Sequence, residues 1–110
     1  MAIAFEQSNF LNFGAGTGGT LAFTSNVKAA SLLVVVTHVG ATGRTCTVTD
    51  NNGNPAYTQA LTVDNGSRQV FIHFVPNANV GATTVTISVP GVPAGVSTAI
   101  HEYSGIATSS

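Results

Sequence analysis

Polar and apolar residues alternate one for one through Thr84-Val85-Thr86-Ile87-Ser88-Val89 and again through Thr47-Val48-Thr49. A period of two places Val85, Ile87 and Val89 on one face of a strand, and Thr45, Thr47 and Thr49 on a solvated face. The run Ser31-Leu32-Leu33-Val34-Val35-Val36 is unbroken and rich in β-branched residues, the pattern of a buried strand, and is far too short to span a bilayer. No window sustains helical spacing, and Gly, Thr, Val, Asn and Ser dominate throughout. The pattern predicts strands over Ala2–Glu6, Thr20–Thr24, Ser31–Val39, Arg44–Thr49, Tyr57–Val63, Arg68–Val75, Thr83–Val89 and Val96–Tyr103. About eight short strands in 110 residues imply one all-β domain over residues 1–110, an antiparallel β-sandwich of the jelly-roll or immunoglobulin-like kind.

Turn signals separate these runs. Gly14-Ala15-Gly16-Thr17-Gly18-Gly19 reads as a flexible connection, and Gly40-Ala41-Thr42-Gly43 and Asp64-Asn65-Gly66-Ser67 read as hairpin-type turns. Pro90-Gly91-Val92-Pro93-Ala94-Gly95 divides the last two strands, and no stretch has the composition of an interdomain linker.

Charge changes the picture more than any motif does. Only 6% of residues are charged, against about 25% in an ordinary soluble domain, so the surface must be built from Thr, Ser, Asn, Gln and Gly. Lys28, Arg44 and Arg68 are too few and too scattered to neutralise a run of phosphates, which argues against nucleic acid, and the same count disfavours anionic membranes. Cys46 stands alone, so neither an internal disulfide nor a cysteine-based zinc site can form. The first ten residues, MAIAFEQSNF, lack the basic and extended apolar segments of a signal peptide.

The candidates for chemistry are correspondingly few. His38, His73 and His101 each fall in a strand and could form an open zinc site if their rings converged; three unrelated sheet histidines are the simpler reading, and no metal is expected. Asp50-Asn51-Asn52-Gly53-Asn54 begins like a calcium loop but lacks the later bidentate Glu, so Asp50 and Asn54 are expected to bond the backbone of their own turn. There is no Gly-x-Ser-x-Gly elbow, no P-loop lysine, and no evident carboxylate pair among Glu6, Asp50, Asp64 and Glu102 for glycoside hydrolysis. A non-enzymatic protein without a cofactor is the expectation.

Three segments, Val48-Thr49-Asp50-Asn51-Asn52-Gly53-Asn54-Pro55-Ala56-Tyr57-Thr58, Asn79 through Ile87 and Ile100-His101-Glu102-Tyr103-Ser104-Gly105, resemble a module of uncharacterised bacterial secreted and phage-associated proteins. That module carries a V-D-x-x-G-N-x-Y-T turn, a G-A-x-T-V-T-V strand and a final A-E-Y-S-G strand; here Pro55 and Ala56 lengthen the first spacing by one residue. The resemblance implies a sandwich fold and no catalytic residues. As part of its signature, Glu102 is expected to accept hydrogen bonds near the sheet end, with Tyr103 packed on the opposite face.

These readings lead to a structural or adhesive β-sandwich of a virion surface or an extracellular assembly. With near-cancelling charge it is expected to associate with its own copies or with a repeated protein partner, through sheet edges or a Thr/Val-rich face. Carbohydrate binding is the alternative. It is weakened by the absence of Trp and by the prospect that Tyr57, Tyr103 and the six Phe are used by the core.

Overall fold

The computed structural model describes residues 3–91 and 93–105. Its strands are β1 (Ala4–Gly14), β2 (Gly18–Ala22), β3 (Ser31–Val39), β4 (Thr47–Asp50), β5 (Thr58–Asp64), β6 (Gln69–Ala78), β7 (Thr84–Ser88) and β8 (Val96–Ser104), with no helix among the described residues. They form a five-stranded sheet in the order β1-β8-β3-β6-β5 and a three-stranded sheet in the order β2-β7-β4, antiparallel throughout.

The pairings β1 with β8, β2 with β7 and β3 with β6 are those of a long hairpin rolled into two layers, which is the jelly-roll arrangement rather than the immunoglobulin one. The fourth pairing of that roll, β4 with β5, is reduced to one backbone bond from Tyr57 N–H to the Val48 carbonyl, 2.9 Å. Instead β5 folds back on β6 through Asp64-Asn65-Gly66-Ser67. The Asp64 side chain accepts from Gly66 N–H, and that of Asn65 accepts from the N–H groups of Ser67 and Arg68. This Asx chemistry makes the turn a true hairpin. Because three strands cannot cover five, every residue of β5 is exposed.

The core lies between the sheets. Strict alternation on β3 buries Leu33, Val35 and Val39, and the same period buries Phe71 and Val75 on β6, Val96 and Ile100 on β8, and Val85 and Ile87 on β7. The solvent side of the small sheet carries the row Thr20–Thr86–Thr49, a polar threonine face.

Four sequence expectations need correction. Strand β1 runs to Gly14 rather than ending at Glu6, since register shifts between Phe5 and Gln7 and between Asn12 and Gly14 break its alternation twice. The Ala2 start expected for it lies outside the described residues. Residues 44–46 form no ladder: the Gln69 side chain takes both backbone groups of Arg44, and His73 bonds the Cys46 carbonyl. Gly40-Ala41-Thr42-Gly43 joins β3 and β4 across the two sheets, so it is not a hairpin. Finally, the glycine-rich connection is shorter than expected: Gly14 ends β1, Gly18 and Gly19 open β2, and Ala15-Gly16-Thr17 alone joins them.

Gly18 has φ of +104°, and a Cβ there would lie 2.3 Å from the Ile87 carbonyl oxygen. Gly43, at φ of +65°, has open space around it. Gly18→Ala is therefore expected to cost about 3 kcal/mol or more, and Gly43→Ala about 1 kcal/mol, in chemical denaturation. Equal costs would mean that β2 shifts freely to accommodate the methyl group.

Candidate functional site

Glu102 is 1% exposed, at the end of β8 and facing the interior. Its carboxylate accepts three bonds: from Gln7 Nε2 at 2.8 Å, from Lys28 N–H at 2.8 Å and from Ser31 Oγ at 2.6 Å. Gln7 reaches it because the bulge in β1 turns that side chain inward. The Gln7 amide also donates to the Ser25 carbonyl and accepts from Ser25 N–H and Thr24 Oγ1. One carboxylate thus ties β1, β3, β8 and the β2–β3 connection. Tyr103, next along, points to the opposite side of the sheet, where its ring meets Phe5 edge-on at 5.8 Å and stacks on His101 at 6.5 Å.

Nearby on the surface, Glu6 pairs with Lys28 Nζ at 2.8 Å and accepts from the Ser104 hydroxyl. The Lys28 contact, reinforced by Ser104, holds the Glu6 carboxyl below its ordinary value, and Glu6 in turn raises the Lys28 ammonium.

At the same end of the roll, Asp50 accepts from Asn52 N–H, from Asn54 Nδ2 at 2.8 Å and from the Tyr57 hydroxyl at 2.6 Å. Burial, and then the Asp50 carboxylate, push the Tyr57 phenol far above its usual range. Asn54 and Asn52 fasten this turn to the β6–β7 connection through the backbone of Asn79 and Val80 and the hydroxyl of Thr83. Both Asp50 oxygens are taken by protein donors, so the turn is a brace between two loops. It is not a preformed cation cage.

The three histidines do not meet. His73 faces the core and donates from Nε2 to the Cys46 carbonyl at 3.2 Å, while Nδ1 has no partner among the described residues. His38 and His101 face outward, but His38 lies opposite Ser97, four residues along β8 from His101, a separation of about 13 Å. No group of three metal-ligating side chains forms among the described residues. The buried Cys46 thiol is pushed up to about 11 by desolvation, so it is a poor nucleophile near neutrality.

A further surface, which the sequence reading did not single out, is the outer face of the five-stranded sheet. Register sets its rows: Ser8–His101–Val34–Phe74–Thr58, then Phe10–Ala99–Val36–Ile72–Leu61, then Asn12–Ser97–His38–Val70–Val63. Phe5, Phe10, Leu61 and Val63 are each about half or more exposed. None of these rows contains Asp, Glu, Lys or Arg. Where the last row meets the loops, Asn12, His38, Ser97, Ser67 and Arg68 line an open groove of about 370 Å³ with no carboxylate in its walls.

No family model matches the chain, and no curated protein sequence matches it.

Two expectations follow from the buried groups. Glu102→Ala strands three donors and should cost about 3 kcal/mol or more. Glu102→Gln keeps one acceptor but sets its amide against donors, and should cost about 1–2 kcal/mol. Denaturant titration of the two variants checks this order, and equal, negligible losses would place the side chain in solvent. For His73, burial holds the imidazole below its ordinary value near 6.5, against the raising effect of its bond to the Cys46 carbonyl. The unfolded chain therefore takes up a proton first as pH falls. Stability from this group is intact above about 6.5 and is lost as pH falls through the lower folded value. Melting temperature should drop between about pH 7.5 and about pH 5.5, and His73→Leu should flatten that slope whatever its absolute cost. The lowered carboxyls Glu6 and Asp64 act below this window. A His73→Leu protein with an unchanged slope would assign the drop to another group.

Proposed function

We propose that the protein is a non-catalytic β-sandwich subunit with a structural or adhesive role, acting through the outer face of its five-stranded sheet in a virion or extracellular assembly. The observation that carries this reading is the character of that face: five strands' width whose middle row, Phe10–Ala99–Val36–Ile72–Leu61, is wholly apolar, with Phe5, Val34, Phe74, Val70 and Val63 beside it and no acidic, Lys or Arg residue in its three rows. An open apolar surface of this size marks a contact with another macromolecule. The state of the reactive groups supports the same reading. Glu102, Asp50 and His73 are each engaged by backbone, amide or hydroxyl groups of the fold.

The second reading is a carbohydrate-binding module, and the groove favours it. Asn12, Ser67 and Ser97 offer hydroxyl and amide groups, and Arg68 is a guanidinium with no acceptor among the described residues. A hydrolase panel together with a glycan array decides between the readings. The expected result is no turnover and no selective glycan binding. Micromolar binding that Arg68→Ala abolishes would replace the structural reading with the carbohydrate one, and turnover of any substrate would remove both.

A further inference from the structure

We propose that two copies of this chain associate face to face through the outer faces of their five-stranded sheets, about a two-fold axis passing close to Val34 and Val36. This rests on the reading that the protein acts through that face, and it commits to a second copy as the occupant. Three observations carry it.

The first is area. Five strands each occupying about 4.8 Å of sheet width cover about 24 Å, and the nine residues of β3 at about 3.3 Å each cover about 30 Å, so each copy offers at most about 700 Å². Two such faces bury at most about 1,400 Å², within the range of about 1,200–2,000 Å² that stable specific interfaces need.

The second is self-compatibility. In a two-fold contact each residue near the axis meets its own copy, so any charge there would oppose a like charge. Around Val34 and Val36 the neighbours are Ala99, His101, Ile72 and Phe74, none of them Asp, Glu, Lys or Arg. The exposed side chains Phe5 and Phe10 on β1 and Leu61 and Val63 on β5 lie along the two opposite margins, where a copy turned by half a revolution can cover them.

The third is the contrast with the alternatives within the same molecule. The small sheet's outer face is the hydrated row Thr20–Thr86–Thr49. The sheet edges are poor templates for strand addition. Strands β1 and β5 are interrupted by bulges, at Phe5/Gln7 and Asn12/Gly14 in one and at Gln59/Leu61 in the other, and β2 and β4 are only five and four residues long. Of the surfaces available, one face has the size and chemistry for a copy of itself.

Sedimentation velocity from low to several hundred micromolar tests this on the intact chain. The wild type should sediment as a dimer at the upper concentrations. Val36→Lys should raise the dissociation constant at least about a hundredfold, and so should Val36→Glu. An equimolar mixture of the two should recover a heterodimer, which only a residue close to the axis can produce. Thr86→Lys, on the other outer face, should leave association unchanged. If either Val36 variant lowers the melting temperature by more than a few degrees, Phe10→Lys is read instead, a site 62% exposed in the single chain; weakened association supports the face and unchanged association overturns it. A wild type that stays monomeric throughout removes the second copy as occupant. It leaves the surface reading standing, since that reading falls only with turnover or Arg68-dependent glycan binding. Dimers as tight in the Val36 variants as in the wild type place the contact elsewhere and overturn the proposal.

Discussion

A buried carboxylate holds this sandwich together at one end. Glu102 is removed from water, and an unpaired carboxylate there would be prohibitively costly, so the fold must bring donors to it. Those donors come from segments far apart in sequence: Gln7, Lys28 and Ser31 lie 95, 74 and 71 residues away. Meeting them fixes the register of β1 against β8, requires the bulge that turns Gln7 inward, and draws the β2–β3 connection over the sheet end. A misregistered β1 would cost more than a few apolar contacts, because it would leave the carboxylate short of a donor.

The same logic recurs wherever polar side chains enter the core. Gln69 and His73 sit on the inner face of β6 at positions that an apolar residue would otherwise fill. Their partners are backbone groups of residues 44 and 46, which precede β4 and have no strand beside them. Asp50, Asn52 and Asn54 do comparable work where β4 and β5 fail to pair. Buried polar groups therefore substitute for ladder bonds at each place where the rolled hairpin is incomplete. A chain with so few charges can satisfy its irregular backbone in this way because Gln, Asn and neutral His bring donors and acceptors without the desolvation cost of an ion.

Most of the fold was legible in the sequence because alternation is a local signal. Ser31–Val39 was read with the observed bounds, and seven of the eight predicted segments overlap their strands over most of their length. The failures have non-local causes. The continuation of β1 through Gln7-Ser8-Asn9-Phe10-Leu11-Asn12 shows no clean period because polar residues occupy both of its faces, and bulges at either end shift its phase against its neighbours. Residues 44–46 alternate like a strand yet find side chains as partners in place of a neighbouring strand. The position and chemistry of Glu102 and Asp50 could be anticipated from the turn and strand residues around them, but Gln7 as the partner of Glu102, and Asn79 as the partner of Asn52 and Asn54 in the Asp50 turn, could not. The apolar outer face was hidden for a similar reason. Val34, Val36, Ile72 and Phe74 look like core residues in any one strand, and only the pairing of β1-β8-β3-β6-β5 shows that they face away from the small sheet.

That pairing also explains why the two outer faces differ. In a symmetric jelly roll β5 would lie beside β4 and widen the smaller sheet. Here the Asx turn at residues 64–67 moves it to the edge of the larger one. The displaced strand extends an already apolar surface by Leu61 and Val63 and leaves the small sheet as a narrow threonine face. Burying Leu61 and Val63 against β4 would have been the cheaper solution for an isolated molecule, since each exposed aliphatic side chain forgoes about 1.5 kcal/mol or more of transfer free energy. A fold that places them on the same face as Phe5, Phe10, Val36 and Ile72 gathers much of its exposed apolar area onto one side of the molecule, although Leu11 and Val80 stay exposed elsewhere.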